Sequence, residues 1–238
     1  MTQFRSASAA FGVALALFGA GLGKAGDDFK PEEGFKSLFN GADLTGWKYG
    51  KENLDGKKAT ADGRFTVEKG VIVANEGKGI KDLYTQADFN KDFILRLDFR
   101  AGLKADSGVY VRGPQLQVRD YIRRKERPQL KKFKDDDWNA LEIVVKSGVV
   151  NTVVNGKKLT EKDSLNVTFK DGKPAAMLNG KPVEVAKIEV SVITVAKCYC
   201  NGEFLEDMPI PAKSAQGIGL QAETGKFEFR RIRLKEMP

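Results

Sequence analysis

The chain has 238 residues, 30% charged and 41% hydrophobic, with a formal net charge of +8. This composition excludes a disordered chain, and the length is ample for one ordinary domain and normal for one β-sandwich. There is no histidine, which excludes a Ser-His-Asp triad, His-ligated zinc and an imidazole base; acid–base work falls to Asp, Glu, Lys or Tyr, and a metal site would need oxygen ligands such as calcium or magnesium take.

Arg5, the apolar run 9–18 and the small residues Gly23 and Ala25 have the three-part pattern of a secretory signal peptide over 1–25, with Gly21 offering a second cut. The apolar run is too short for a membrane span, which needs about 20 residues. The chain is therefore expected to be periplasmic or secreted, with no transmembrane span. Without Arg5 and Lys24 the remainder carries +6. Residues 26–34 read as a polar linker, and 35–238 as the folded domain.

Phe35 to Phe39 alternates as a half-buried strand, Asn40-Gly41 turns, and a compact loop ends on Trp47. Phe65–Glu68 and Val71–Ala74 flank Lys69-Gly70 as a hairpin. Leu83-Tyr84-Thr85 is a short strand. Phe93 to Arg100 alternates cleanly, with Phe93, Leu95, Leu97 and Phe99 on one face. Ser107 to Arg112 is a strand, Gly113-Pro114 interrupts it as a bend or bulge, and Gln115 to Arg119 resumes it. The run 119–134 is strongly basic; in an exported protein it reads as a solvated loop before a nucleic-acid site, though it suits an acidic polymer or phosphate-rich surface. Leu141 to Lys146 is a further strand. Asn155-Gly156, Asn179-Gly180 and Asn201-Gly202 each suit a two-residue hairpin, so 150–206 reads as successive hairpins. Cys198 and Cys200 are free thiols or a strained bridge, and two ligands are too few for zinc. The tail carries 217–222 and 226–234 as strands, with Phe227 and Phe229 at one parity and Ile232 and Leu234 at the other. Many short strands with turn signals and no sustained helical period predict an all-β sandwich or jelly roll.

Four segments carry a resemblance. Residues 35–47 (FKSLFNGADLTGW) are similar to the opening signature of the 3-keto-disaccharide hydrolase family. Residues 107–113 (SGVYVRG) resemble its central motif, Trp138-Asn139 with Val154-Asn155-Gly156 its W-N…V-N-G segment, and 217–234 its closing segment. Together they span 35–234. The resemblance implies a concanavalin- or LamG-like jelly-roll β-sandwich. It also implies hydrolase or lyase/hydratase action on small 3-keto-glycosides: a C3 ketone acidifies the C2 proton, a base removes it, and the C1 substituent leaves. Where the family often carries Asp-His after its final Leu-Gln, this chain has Ala222-Glu223, and 159–197 reads as extra inserted hairpins.

The expected site residues follow from motif and parity. Glu223, next to the family histidine position, is the first candidate for a base or metal ligand; Glu142 on its strand and Asp120 at a strand end are the other candidate acid–base groups. Arg112, at the parity of Tyr110, needs a carboxylate such as Glu142 or a ligand. Tyr110, Gln115, Gln117 and Gln221 are expected to bind sugar hydroxyls, since amides both donate and accept. Trp47 is expected either to stack on a sugar or to plug the core, and Trp138 to pack. The sequence specifies no particular cofactor, and a divalent cation on oxygen ligands, calcium or magnesium, fits the residue types. The alternative function is a non-catalytic carbohydrate-binding module.

Overall fold

A computed structural model describes residues 29–160, 162–170, 173–184, 187–211 and 217–238; the expected signal peptide at 1–25 lies outside them. The described residues form strands and no α-helix, so none of them makes a helix long and apolar enough to cross a membrane. In chain order the strands begin with β1 (Lys36–Ser37), β2 (Trp47–Tyr49), β3 (Glu52–Asn53), β4 (Phe65–Glu68), β5 (Val71–Ala74) and β6 (Lys81–Thr85). They continue with β7 (Phe93–Ala101), β8 (Asp106–Val111), β9 (Gln115–Arg119), β10 (Asn139–Val154), β11 (Lys157–Lys158) and β12 (Leu165–Lys170). Last come β13 (Lys173–Leu178), β14 (Lys181–Val183), β15 (Ile188–Cys200), β16 (Glu203–Ile210), β17 (Ile218–Ala222) and β18 (Phe227–Glu236).

Residues 148–193 make one compact unit, holding β11 to β14 and the adjoining ends of β10 and β15. Within it β12, β13 and β14 form a three-stranded antiparallel sheet. The other unit, up to residue 147 together with 194–238, is a β-sandwich. Its larger sheet runs β16-β15-β10-β7-β18-β5-β4, with β1 beside β18; its smaller sheet runs β3-β2-β6-β17-β8-β9.

Period-two patterning builds that sandwich. In β7, Phe93, Leu95, Leu97 and Phe99 are buried, while the residues between them are half-exposed. Leu83, Val109, Val111, Leu116, Val118, Ile218 and Leu220 come from the smaller sheet, and all belong to one core cluster with Phe227 and Phe229. The Asn-Gly pairs 155–156, 179–180 and 201–202 take positive φ at both residues, the hairpin geometry the sequence predicts, and Lys69-Gly70 does the same.

Three local readings change or are settled. The segment around Gly113-Pro114 is a chain reversal, not a bend: Arg112 and Gly113 have positive φ, Val111 N–H donates to Pro114 O, and β8 pairs antiparallel with β9. Of the two readings of Trp47, sugar stacking and core plug, the second holds: it has no exposed surface, and its Nε1–H donates to Leu38 O at 2.8 Å. A bulge in β18 between Arg230 and Arg233, with Arg231 at φ 53°, switches parity, so Phe227 and Phe229 and then Ile232 and Leu234 all reach the core. Cys198 and Cys200 are free and buried, and burial pushes the Cys200 thiol up to about 12.

The outer face of the larger sheet is laced with ion pairs. Glu142 meets Arg96 at 2.7 Å, Asp98 meets Arg230 at 3.1 Å, and Glu228 meets Arg100 at 2.5 Å. Trp138 packs there, with the guanidinium of Arg230 3.9 Å and that of Arg100 4.9 Å from its ring centroid. Glu32 clamps Arg233 through two bonds of 2.5 and 2.7 Å, which together with the Arg233 charge hold its carboxyl at about 2 instead of 4.5. A depressed folded pKa gives stability that is present above the unfolded value and lost as pH falls from 4.5 towards 2. The melting temperatures of wild type and Glu32→Gln should therefore differ most above about pH 5 and converge towards pH 2. A pH-independent gap would show that the clamp contributes nothing through ionisation.

Candidate functional site

Strand parity makes the outward face of the smaller sheet polar. On β6, Leu83 and Thr85 are buried, which turns Asp82 and Tyr84 outward. Cross-strand register places Gly219 and Gln221 of β17, Asp106, Gly108 and Tyr110 of β8, and Gln115, Gln117 and Arg119 of β9 on the same side, with Gln221, Asp106 and Gly108 covered by their neighbours. The register aligns them. One row runs Tyr84, Gly219, Tyr110, Gln115. The next sets Asp82 opposite Gln221 and Gly108 opposite Gln117, and beyond it Asp106 lies between Thr224 and Arg119.

Two glycines shape this face. A Cβ at Gly219 would stand 2.5 Å from Cε1 of Tyr84, and one at Gly108 would stand 1.9 Å from Nε2 of Gln115. The Tyr84 ring and the Gln115 amide therefore lie across the neighbouring strand, in space that any other residue would fill. The Tyr84 and Tyr110 rings come together at a centroid distance of 5.4 Å, tilted by 37°.

Hydrogen bonds fix the polar groups. Gln221 is buried, and its Nε2–H donates to the Tyr110 hydroxyl at 2.7 Å. Burial raises the Asp82 pKa above the usual range, against the lowering effect of the neighbouring Tyr110 and Gln221 side chains. Burial and the Asp82 charge push the Tyr110 hydroxyl up to about 12. Asp82 Oδ1 and Gln221 Oε1 have no hydrogen-bond partner among the described residues. Along β9 a directed chain runs from Arg119 Nη2 to Gln117 Oε1 (3.1 Å) and from Gln117 Nε2 to Gln115 Oε1 (2.9 Å). Its far end, Gln115 Nε2, is a buried donor without an acceptor among the described residues. Glu223 follows β17 on this side. Burial raises its pKa, and the charges of Asp106 and Asp82 add to that against Arg119 and Arg124.

The structure thus brings Glu223, Tyr110, Gln115, Gln117 and Gln221 to one face. It sends the other candidates elsewhere. Glu142 lies on the larger sheet, paired with Arg96, and is not Arg112's partner. Asp120 is wholly buried; it accepts from Lys104 N–H at 2.7 Å and pairs with Arg123 at 2.6 Å, a loop-holding role. Trp47 is in the core. Arg112 is buried at the β8–β9 reversal, with Nε and Nη1 unpartnered among the described residues. The basic run is neutralised at its arginines: Arg119 and Arg124 share Asp106 and Glu126, Arg123 meets Asp120 and Asp136, and Arg127 meets Glu206.

Sequence reasoning missed Asp82, Tyr84 and Asp106. The alternation around Leu83 was the available signal for the first two, but β6 meets β17 only through contacts more than a hundred residues apart in sequence. Among the described residues no group of three or more carboxylates or thiols is arranged to hold a metal ion.

Chemically, the face offers two carboxylates of raised pKa, a phenol that stays protonated through neutral pH, and an amide donor without an acceptor. These are the parts needed to remove a proton next to a carbonyl and to protonate a departing oxygen.

Comparison with known proteins adds to this. Residues 34–235 match a family model described as the 3-keto-alpha-glucoside-1,2-lyase-like domain. No curated protein matches the chain. A crystal structure from Parabacteroides distasonis ATCC 8503, provisionally described as a glycosyl hydrolase, superposes with a TM-score of 0.51 at 18% identity, covering 87% of this chain and 95% of that one. A second from the same organism, described in the same terms, gives 0.48 at 16% identity, covering 85% and 99%. At such identity the first likeness speaks for the fold alone.

Proposed function

This chain belongs to the 3-keto-alpha-glucoside-1,2-lyase-like family and is a carbohydrate-active enzyme of hydrolase or lyase type on 3-keto-glycosides; from that premise we propose that the outward face of the smaller sheet is its active site. The observation that carries the reading is the convergence of Asp82 and Glu223, both with raised pKa values, around the Tyr110–Gln221 pair.

In this reading the Glu223 carboxylate takes the C2 proton. The C–H electrons form the C2–C3 enolate, whose oxygen draws the unpartnered Gln115 N–H. The enolate then collapses: the ketone re-forms, a C1–C2 double bond forms, and the C1–O bond breaks. The leaving oxygen takes the Tyr110 proton, and Asp82, whose charge acts on that hydroxyl, returns one from solvent. Adding water across the enone completes net hydrolysis. This proposed sequence of steps assigns no role to histidine or to a metal.

The strand order of the two larger sheets supports reading the sandwich as a concanavalin-like jelly roll, and the pattern at 1–25 supports export to the periplasm or beyond. The test of the function is direct. Purified protein is incubated with 4-nitrophenyl 3-keto-α-glucoside, with and without a chelator, while aglycone release and enone absorbance are followed. Release that survives the chelator is expected. Binding without release would leave a carbohydrate-binding module, and release abolished by the chelator would overturn the metal-free assignment.

A further inference from the structure

Tyr84 has no part in the proton transfers, yet the sheet is built around it. Gly219 sits directly between Tyr84 and Tyr110 in the register, and its missing side chain is what lets the Tyr84 ring lie across β17 towards Tyr110. Both rings remain partly exposed. Burial raises the Tyr84 pKa, with help from the Asp82 charge, so its hydroxyl stays neutral and its ring stays a neutral aromatic surface. On the larger sheet the ring of Trp138 is already covered by the guanidinium groups of Arg230 and Arg100. No guanidinium is recorded over Tyr84 or Tyr110 among the described residues, and their half-open surface is the one beside the carboxylates.

The spacing fits a two-ring substrate. Asp82 and Tyr84 are two residues apart on one strand, a separation of roughly 6.6 Å at about 3.3 Å per residue. That is about the width of one sugar ring. With C1 and C2 of the reacting sugar over the Asp82 row, the ring attached through the C1 oxygen falls over the tyrosine row, and the departing oxygen falls near the Tyr110 hydroxyl.

We infer that Tyr84, reaching over Gly219 and paired with Tyr110, is a stacking subsite for a six-membered ring on the leaving-group side of the substrate. The inference rests on the active-site reading above and specifies its substrate class: 3-keto-glycosides whose leaving group presents a flat ring face, either an aromatic aglycone or a second pyranose. Small alkyl glycosides lack the group that Tyr84 holds.

The experiment measures equilibrium binding to the Glu223→Gln protein by calorimetry, beside turnover by the protein with Glu223 intact. The probes are 4-nitrophenyl 3-keto-α-glucoside, a 3-keto-disaccharide and methyl 3-keto-α-glucoside. Adding Tyr84→Ala should weaken binding of a ring-bearing probe by roughly three- to tenfold and leave the methyl probe unchanged. The two ring-bearing arms separate an aryl from a sugar preference. Tyr84→Phe should retain binding. Gly219→Ala, whose Cβ displaces the ring, should reproduce the Tyr84→Ala pattern, and it guards against misreading a variant that merely unfolds. Equal weakening of all three probes, or of none, overturns the subsite even if turnover is normal. A Tyr84-dependent preference without turnover by the intact enzyme keeps the subsite and overturns the catalytic reading. Failure of every probe to bind overturns both.

Discussion

Glu223→Gln lowers kcat on 3-keto-α-glucosides by roughly 100- to 10,000-fold while KM changes little, the size expected for losing a positioned general base. The amide keeps the shape of the side chain but has no lone pair basic enough to take the C2 proton. Glu223 is partly exposed and makes no salt bridge among the described residues, so the fold should tolerate the change. The pH profile supplies a second readout. Burial and two neighbouring carboxylates raise the Glu223 pKa, so the acid limb of kcat/KM should lie above the ordinary carboxylate value of 4.5, with activity falling as pH drops through it. Asp82→Asn removes one of those negative neighbours. It should move the acid limb to lower pH as well as slow the reaction, because the proton on Tyr110 is no longer replenished. Asp82→Asn with an unmoved limb would separate the two carboxylates, and full activity in Glu223→Gln would place the base elsewhere.

Trp47→Ala should destabilise the protein by about 3–5 kcal/mol, the usual cost of emptying a large aromatic site in a packed core. The ring has no exposed surface, and its N–H is bonded to Leu38 O. Truncation leaves a cavity and an orphaned carbonyl together. Urea unfolding should show a lowered midpoint with little change in slope. Trp47→Phe, which refills most of the volume, should recover much of the stability and keep the KM of wild type. A variant that held its stability but lost substrate affinity would return Trp47 to the sugar-binding role expected from its position after the opening loop.

The two residues show where sequence reading works and where it stops. The motif ending on Trp47 marks the family, but a tryptophan at the end of a tight loop has the same appearance whether it faces sugar or core. Only its place in the buried core cluster decides. Glu223 was legible because it follows a recognisable closing strand. Asp82 was not, because nothing local distinguishes it from any surface aspartate; its meaning comes from standing opposite Gln221 with its charge acting on Tyr110.

Glu142 and Asp120 illustrate the converse error. Each is a carboxylate on or beside a strand, with the right chemistry for a base. Arg96 and Arg123 claim them, and those arginines come from strand pairing and a loop path. Arg112 is buried at the β8–β9 reversal and not by strand parity, and the partner named for it stands on the other sheet. The strongly basic run 119–134 likewise reads as a cationic patch until Asp106, Glu126, Asp136 and Glu206 are brought up against its arginines.

By itself the sequence determined the all-β character, the inward faces of the long strands and the Asn-Gly hairpins, because alternation and positive φ are local properties that two or three residues can encode. It also determined the family, through four motifs in order, and the absence of imidazole chemistry. Tertiary structure alone decided which outward residues share a face. The pairing of β6 with β17 and of β17 with β8 joins segments from opposite ends of the chain, and it sets Tyr84, Gly219 and Tyr110 in one row and Asp82 opposite Gln221 in the next. The bulge at Arg231 is what lets both parities of β18 reach the core, since one extra residue turns every later side chain to the other face.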